Sequence, residues 1–285
     1  MVKRSFKKYK IGIIGIGFVG GAVKRYFESI GLKPFFYDKY KKIGSLKKVN
    51  LADVIFVCVS TPYDKKKGCD LSFVKDVCKN ISGSKIIVIK STVVPGTTQK
   101  LQDEYPRHKF LFNPEFLREA SAYKDFINPD RQIVGFTKKS KKVAYSIMKI
   151  LPKAPYQKIM LAEEAEMIKY MNNTFLATKV LLANEFYDLC TALKINYDVV
   201  KDAVSQDPRI GKSHLDIFRN GYRGYGGSCF PKDINAIIKF ASDKKVDMLF
   251  LKKAREINRL LLKQSGFKED YFLNFLHRKK NDKKT

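Results

Sequence analysis

The sequence is poor in metal ligands. Its five cysteines (Cys58, Cys69, Cys78, Cys190 and Cys229) form no Cys-x-x-Cys pair, and its three histidines (His108, His214 and His277) are scattered. No metal site is indicated, zinc included. The odd cysteine count and the lack of a secretory-type leader point to a reduced, cytoplasmic compartment. No stretch reaches the roughly eighteen consecutive apolar residues of a membrane span, so none is expected. Acidic residues are few, 28 against 56 lysines and arginines, for a net charge of +28. Lysine dominates and is spread along the chain, whereas a nucleic-acid binder concentrates its charge on one face. The charge therefore reads as a solvated surface, with no nucleic-acid partner, that raises on-rates for anionic substrates. There is no internal repeat.

What is present is a globular composition, 45% hydrophobic over 285 residues, enough for one large or two modest domains. Apolar runs predict strands at 11–14, 34–37, 52–59, 85–90, 110–112 and 132–134, with helical segments between them. That alternation predicts an α/β fold, a Rossmann-type doubly wound parallel sheet over residues 1–157. Residues 152–158 read as a connector. From 162 to 193 there is no glycine or proline, and apolar residues fall on more than one face (Met167, Ile168, Phe175, Leu176, Val180, Leu181, Phe186 and Leu189). This predicts a long helix, the spine of a helical domain over 158–266 that packs against a second copy. Shorter helices are expected at 197–205, 233–242 and 248–262, then a charged tail over 267–285.

Gly15-Ile16-Gly17-Phe18-Val19-Gly20 lies between the first strand and its helix, and Asp38 closes the next strand. In this context the Gly-x-Gly-x-x-Gly spacing predicts a dinucleotide site. Gly15 permits the turn, Gly17 admits the pyrophosphate, and Gly20 lets helix and strand pack closely. Asp38 would accept from the ribose hydroxyls and repel a 2′-phosphate, so NAD is expected over NADP. Lys39 and Lys42 are the features that weigh against this choice.

The other pattern centres on Gly226-Gly227-Ser228-Cys229-Phe230-Pro231-Lys232-Asp233. A thiol beside a nicotinamide can trap an aldehyde covalently, and the adduct can be oxidised again. Lys169 and Asn173 lie four residues apart on the long helix, as do Glu115 and Glu119 in Asn113-Pro114-Glu115-Phe116-Leu117-Arg118-Glu119. Singly, each is more often a salt-bridged or surface residue, and a lone cysteine a small buried hydrophobe. Their joint occurrence after a dinucleotide fold is the functional signal.

On these motifs, with Ser60-Thr61-Pro62, Ser91-Thr92-Val93-Val94-Pro95-Gly96, Asn128-Pro129-Asp130-Arg131 and Gly224-Tyr225-Gly226, the sequence resembles the UDP-glucose/GDP-mannose dehydrogenase family. The resemblance implies a helical second domain like that of 6-phosphogluconate dehydrogenase, serving dimerisation. It implies a four-electron oxidation of a sugar C6 alcohol to a carboxylate with two NAD, UDP-glucose being the expected nucleotide sugar. Cys229 would be the nucleophile of a thiohemiacetal and then a thioester. Lys169 and Asn173 would hold the oxyanion, Asp233 would move protons, Glu115 would assist hydrolysis, and Thr92 would position water and cofactor. Ser60, Thr61, Glu119 and Lys232 would touch the cofactor. Glu115, Phe116, Leu117, Lys169 and Asn173, with Phe218, Asn220, Tyr222 and Gly226 of a covering loop, would touch the sugar. Gly221-Tyr222-Arg223 departs from the Pro-Gly turn frequent there. The family's third domain, which grips the nucleotide, is not expected after about Phe267. Two other readings stand beside this one: a two-electron β-hydroxyacid-type dehydrogenase, which has no need of Cys229, and a non-catalytic NAD-binding subunit.

Overall fold

The computed structural model describes residues 9–218 and 220–273. The fold divides into two compact units, Met1–Thr61 with Asp70–Lys169, and Pro62–Cys69 with Tyr170–Thr285.

In the first unit β1 (Ile11–Ile14) leads into α1 (Phe18–Ser29), β2 (Phe35–Asp38), the short edge strand β3 (Ile43–Gly44), α2 (Leu46–Val49) and β4 (Val54–Val57). After the segment 62–69, whose strands β5 (Tyr63–Asp64) and β6 (Gly68–Cys69) belong to the other unit, come α3 (Ser72–Asn80), β7 (Ile86–Ile89), α4 (Thr97–Glu104) and β8 (Lys109–Phe112). Then follow α5 (Ala122–Ile127), β9 (Arg131–Phe136), α6 (Lys141–Ile150), β10 (Tyr156–Leu161) and the start of α7 (Ala162–Ala192). The main sheet runs β10-β9-β8-β7-β4-β1-β2-β3. Strand residues alternate between two apolar layers, as pleating requires. Val54 and Phe56 join Ile11, Ile13 and Phe27 on one face, while Ile55 and Val57 join Ile87, Ile89 and Phe112 on the other.

The Rossmann core is parallel, but the sheet is mixed. β9 runs antiparallel to β8, with Phe112 opposite Gly135. The chain leaves β8 at the carboxyl end of the parallel strands, packs α5 against α1 (Tyr26 and Phe126 ring centroids 5.6 Å apart), and re-enters antiparallel as β9. This leaves 113–117, directly after β8, at the end of the sheet where open α/β folds bind ligands. Residues 156–158, read as connector, open β10, which pairs parallel with β9 (Tyr156↔Arg131). β3 adds a second antiparallel edge against β2.

The second unit holds the β5–β6 hairpin, the rest of α7, α8 (Tyr197–Val204), α9 (Phe230–Asp243), α10 (Leu249–Gln264) and α11 (Glu269–Leu273). α9 starts three residues before the expected position. Cys229 is its N-cap and Pro231 stands in its first turn, where a missing N–H costs nothing. Loop 222–225 is clamped from both sides. Arg223 reaches Asn184 (3.1 Å) and Asp188 (2.8 Å), and Asn258 accepts from Tyr225 N–H (2.7 Å) and donates to its carbonyl (3.0 Å). Gly224 is obligatory here: its φ is +80°, and a Cβ would stand 2.5 Å from Asn258 Oδ1. Part of the expected tail is ordered, since Phe272 of α11 is buried with Tyr222 and Leu262. The remainder, from 274, lies outside the described residues. No helix among the described residues is long and apolar enough to cross a membrane.

Candidate active site

In the first unit Gly15 has φ +86°, and a Cβ there would meet Cys58 O at 2.7 Å. At Gly20 a Cβ would lie 1.8 Å from Gly15 O, so both positions exclude a side chain for reasons of packing. Gly17 is different. Its φ is −80° and nothing lies within 4 Å of where its Cβ would stand. Neither backbone nor packing requires glycine there, which fits a ligand that must come close. α1 starts at the next residue with no acidic side chain in its first turn, leaving its amide dipoles available to a phosphate. Phe18 is exposed and Val19 half-buried. Asp38 pins this loop: its carboxylate accepts from Ile16 N–H (2.7 Å), Tyr40 N–H (3.0 Å) and Lys41 N–H (2.9 Å). A carboxylate has room for a further donor beyond these three. These residues fit NAD. Ser60 is exposed, and Thr61 is buried with its hydroxyl donating to Thr92 O (2.6 Å), which fixes the half-buried Thr92.

Glu115, Phe116, Leu117 and Lys169 come together. Lys169 Nζ donates to Glu115 Oε1 and to Glu115 O, both at 2.7 Å, and Leu117 N–H donates to Glu115 Oε2 at 2.8 Å. Burial alone would push Glu115 up, but Lys169 and the hydrogen bonds outweigh it, and the carboxyl sits below its usual range. Phe116 lies under both Arg131 (3.9 Å) and Lys169 (5.7 Å). Glu119 stands apart, exposed on a single 3₁₀ turn.

In the second unit Asn173 donates to Asp233 Oδ2 (2.6 Å), and Lys232 pairs with Asp233 Oδ1. Asp233 is wholly buried, so its two oxygens are held from two sides. Burial would lower Lys232, but the charges of Asp233, Cys69 and Cys229 prevail and raise it. Cys229 is exposed at the start of α9, with Ser228 Oγ 3.7 Å from its sulfur. The covering loop is divided. Phe218 is exposed, edge-on to Tyr187, and Asn220 is exposed with φ +58°. Tyr222 instead turns into the cluster of Phe267 and Phe272, and a Cβ on Gly226 would strike its hydroxyl at 2.5 Å.

With this geometry in view, the comparisons with known proteins are specific. The NAD binding domain of the UDP-glucose/GDP-mannose dehydrogenase family matches residues 38–152, and its central domain matches residues 163–260. YtcA of Bacillus subtilis is 34% identical over 293 residues, covering 87% of this chain and 67% of its own length. The chain belongs to the UDP-glucose/GDP-mannose dehydrogenase family. A UDP-glucose 6-dehydrogenase of Rickettsia prowazekii is 39% identical over 220 residues, 73% of this chain and 49% of the relative. The chain thus spans about half the length of several curated relatives that it matches. A UDP-glucose dehydrogenase structure from Pyrobaculum islandicum superposes with a TM-score of 0.79 at 28% identity, covering 91% of this chain and 70% of that one. A Mycobacterium tuberculosis 3-hydroxyisobutyrate dehydrogenase, at 13% identity and TM-score 0.70, shares the fold alone.

Two buried groups escaped the sequence reading. Lys90, held by Asn113 Oδ1 (2.6 Å), is lowered to about 8 by burial and ties the Ser91-Thr92 turn to the Asn113 segment. Glu166, fully buried on α7, accepts from Gly96 N–H (2.6 Å), Thr98 N–H (2.8 Å) and Thr98 Oγ1 (2.6 Å) at the start of α4. The signal for Glu166 was a carboxylate one turn before Lys169, a spacing that solvated helices also show.

Burial raises Glu166 to about 7 against these hydrogen bonds. The folded state then holds a proton that the unfolded state has lost. Stability from this group is full below the ordinary carboxyl range and is lost as pH rises through about 7. Glu166→Gln should therefore gain about 2–3 kcal/mol relative to wild type between pH 5 and pH 8. Urea melts at the two pH values read this difference, and a constant gap between variant and wild type contradicts it.

Proposed function

We propose that this chain oxidises the C6 alcohol of a nucleotide sugar, of the UDP-glucose to UDP-glucuronate type, to the carboxylate in two two-electron steps. The observation that carries this is the exposed Cys229 at the N-cap of α9, beside the Lys232–Asp233–Asn173 network. A single alcohol oxidation has no use for such a thiol. The family's two matched domains and the relatives named UDP-glucose 6-dehydrogenase support the same reading.

NAD, when bound at the Gly15–Gly20 loop, would take up a hydride in each step. Cys229 would add to the C6 aldehyde, its proton passing to solvent and the oxyanion forming on the former carbonyl oxygen. Lys169 and the Asn173 amide would donate to that oxyanion. Hydride loss from the thiohemiacetal leaves a thioester. Water, guided by Glu115 and Thr92, would attack the thioester carbon and release the acid and the free thiol. Asp233, held by two donors, would relay protons without leaving its place. Ser60, Thr61, Asp38, Glu119 and Lys232 would serve the cofactor. Phe116, Leu117, Phe218 and Asn220 would serve the sugar. Tyr222 and Gly226 would act by shaping their loop.

Two NADH per UDP-glucose are expected from the purified protein with saturating NAD. Cys229→Ser should cut acid formation by at least about a thousandfold, as loss of a covalent nucleophile does. Undiminished turnover with one NADH per sugar would favour the two-electron alternative. Binding of NAD without any turnover would favour the non-catalytic one.

α7 also supports a homodimer. Met171, Phe175, Leu182, Phe186 and Leu189 are each more than half exposed, a larger apolar series than a solitary helix leaves in water. Light scattering should give twice the 32.8 kDa chain mass. A Phe175→Lys, Phe186→Lys variant should run as a monomer, and a monomeric wild type at micromolar concentration contradicts the proposal.

A further inference from the structure

The second unit contains a cavity of about 770 Å³ that no sequence motif touches. It is lined by the β5–β6 hairpin, α9, α10 and the turn into α11. Its charge is one-sided. Arg255, Arg259 and Lys263 project from α10 at successive four-residue steps, so they align along one side of the helix. Lys65, from the hairpin turn, and Lys268 add two more ammonium groups. The two carboxylates present do not balance them. Glu269 is buried and already engaged, accepting from Arg259 Nε (2.7 Å) and Asn235 Nδ2 (2.9 Å). Asp270 is exposed at the rim.

The floor is a rigid polar network. Asn235, 2% exposed, donates to Pro231 O (2.8 Å) as well as to Glu269, and its Oδ1 accepts from Arg255 (3.1 Å). That bond fixes the Arg255 guanidinium but leaves its Nε–H buried without an acceptor among the described residues. The charge that Arg255 presents to the cavity is therefore held in place by the protein before any anion arrives. Two guanidinium groups one helical turn apart suit the paired oxygens of phosphates. Tyr63 and Phe267 supply aromatic wall, the element that accepts a planar base. The volume falls in the range of small-ligand pockets.

We propose that this cavity binds a nucleoside diphosphate, with the diphosphate held by Arg255 and Arg259 under the ammonium groups of Lys65 and Lys263. None of the lining residues has a part in the proposed reaction, so the site stands or falls independently of that reading. It is a second anion site on the chain, apart from the Gly15–Gly20 loop.

The test is calorimetric titration of the full chain at low ionic strength with inorganic pyrophosphate and with UDP. Lys65→Gln combined with Lys263→Gln changes two exposed side chains, and Arg255→Gln removes the unpartnered donor. Each variant should abolish or weaken one pyrophosphate-binding event about tenfold or more, the scale of one lost charge-assisted contact. Gly17→Ala should leave that event intact. UDP should bind this site more tightly than pyrophosphate, and Tyr63→Ala should erase the difference. Pyrophosphate binding that is absent from the wild type, or equal in wild type and the double lysine variant, overturns the site. Equal affinity for UDP and pyrophosphate at the site overturns the nucleoside assignment. The double lysine variant keeps the test valid if Arg255→Gln fails to fold.

Discussion

Three polar side chains buried on one helix fix local geometry in each of the two units. Glu166, Lys169 and Asn173 of α7 are 0%, 4% and 4% exposed. None can be left unsatisfied there, because a buried charge or amide without partners costs several kcal/mol. Their partners come from distant sequence: Gly96 and Thr98 for Glu166, Glu115 for Lys169, and Asp233 for Asn173. In the first unit this locks the start of α4, just after the Thr92 turn, and the Glu115–Leu117 turn. In the second it orients the carboxylate one turn beyond Cys229. Removing one partner of the buried Lys169–Glu115 ion pair should cost about 3–5 kcal/mol, a large share of the stability of a domain.

Much of this was legible in the residues. Gly15, Gly20 and Asp38 announce the first turn because steric rules at that crossing are strict, and the geometry repeats them: a Cβ at Gly20 would overlap Gly15 O. The all-apolar strands announce a buried sheet for the same reason. The long helix was readable from the lack of glycine and proline between 162 and 193, and α7 ends within one residue of that span. Other parts were not legible. β10 is an edge strand, mostly exposed and polar at its start, so it carries no continuous apolar run. The antiparallel turn of β9 depends on where the chain travels after β8, which hydrophobic pattern does not encode. α11 is held by the Arg259–Glu269 pair and by Tyr222, whose contact with Phe272 joins segments fifty residues apart.

The candidate chemical residues divide in the same way. Lys169 with Glu115, and Asn173 with Asp233 and Lys232, are joined by hydrogen bonds that sequence spacing could only suggest. Lys90 and Glu166 gave no distinctive signal, because a charged residue on a strand end or helix is ordinarily solvated. Their burial is a tertiary property. Tyr222 is the opposite case. A loop position expected to meet the sugar is occupied by a ring that packs inward, and Gly226 has no side chain because that ring leaves no space. The departure from the usual Pro-Gly turn is thereby tied to the packing of α11, which gives the loop an anchor through Phe267 and Phe272.

Cys229 carries the central claim, since its exposed thiol is the feature that separates a four-electron from a two-electron oxidation. Rapid quenching of the wild-type chain during turnover with UDP-glucose and NAD, followed by peptide mass mapping, tests it most directly. The account predicts a transient mass increase on the Cys229 peptide equal to the oxidised nucleotide-sugar acyl group. An unmodified Cys229 throughout a reaction that is producing NADH and the acid would contradict it.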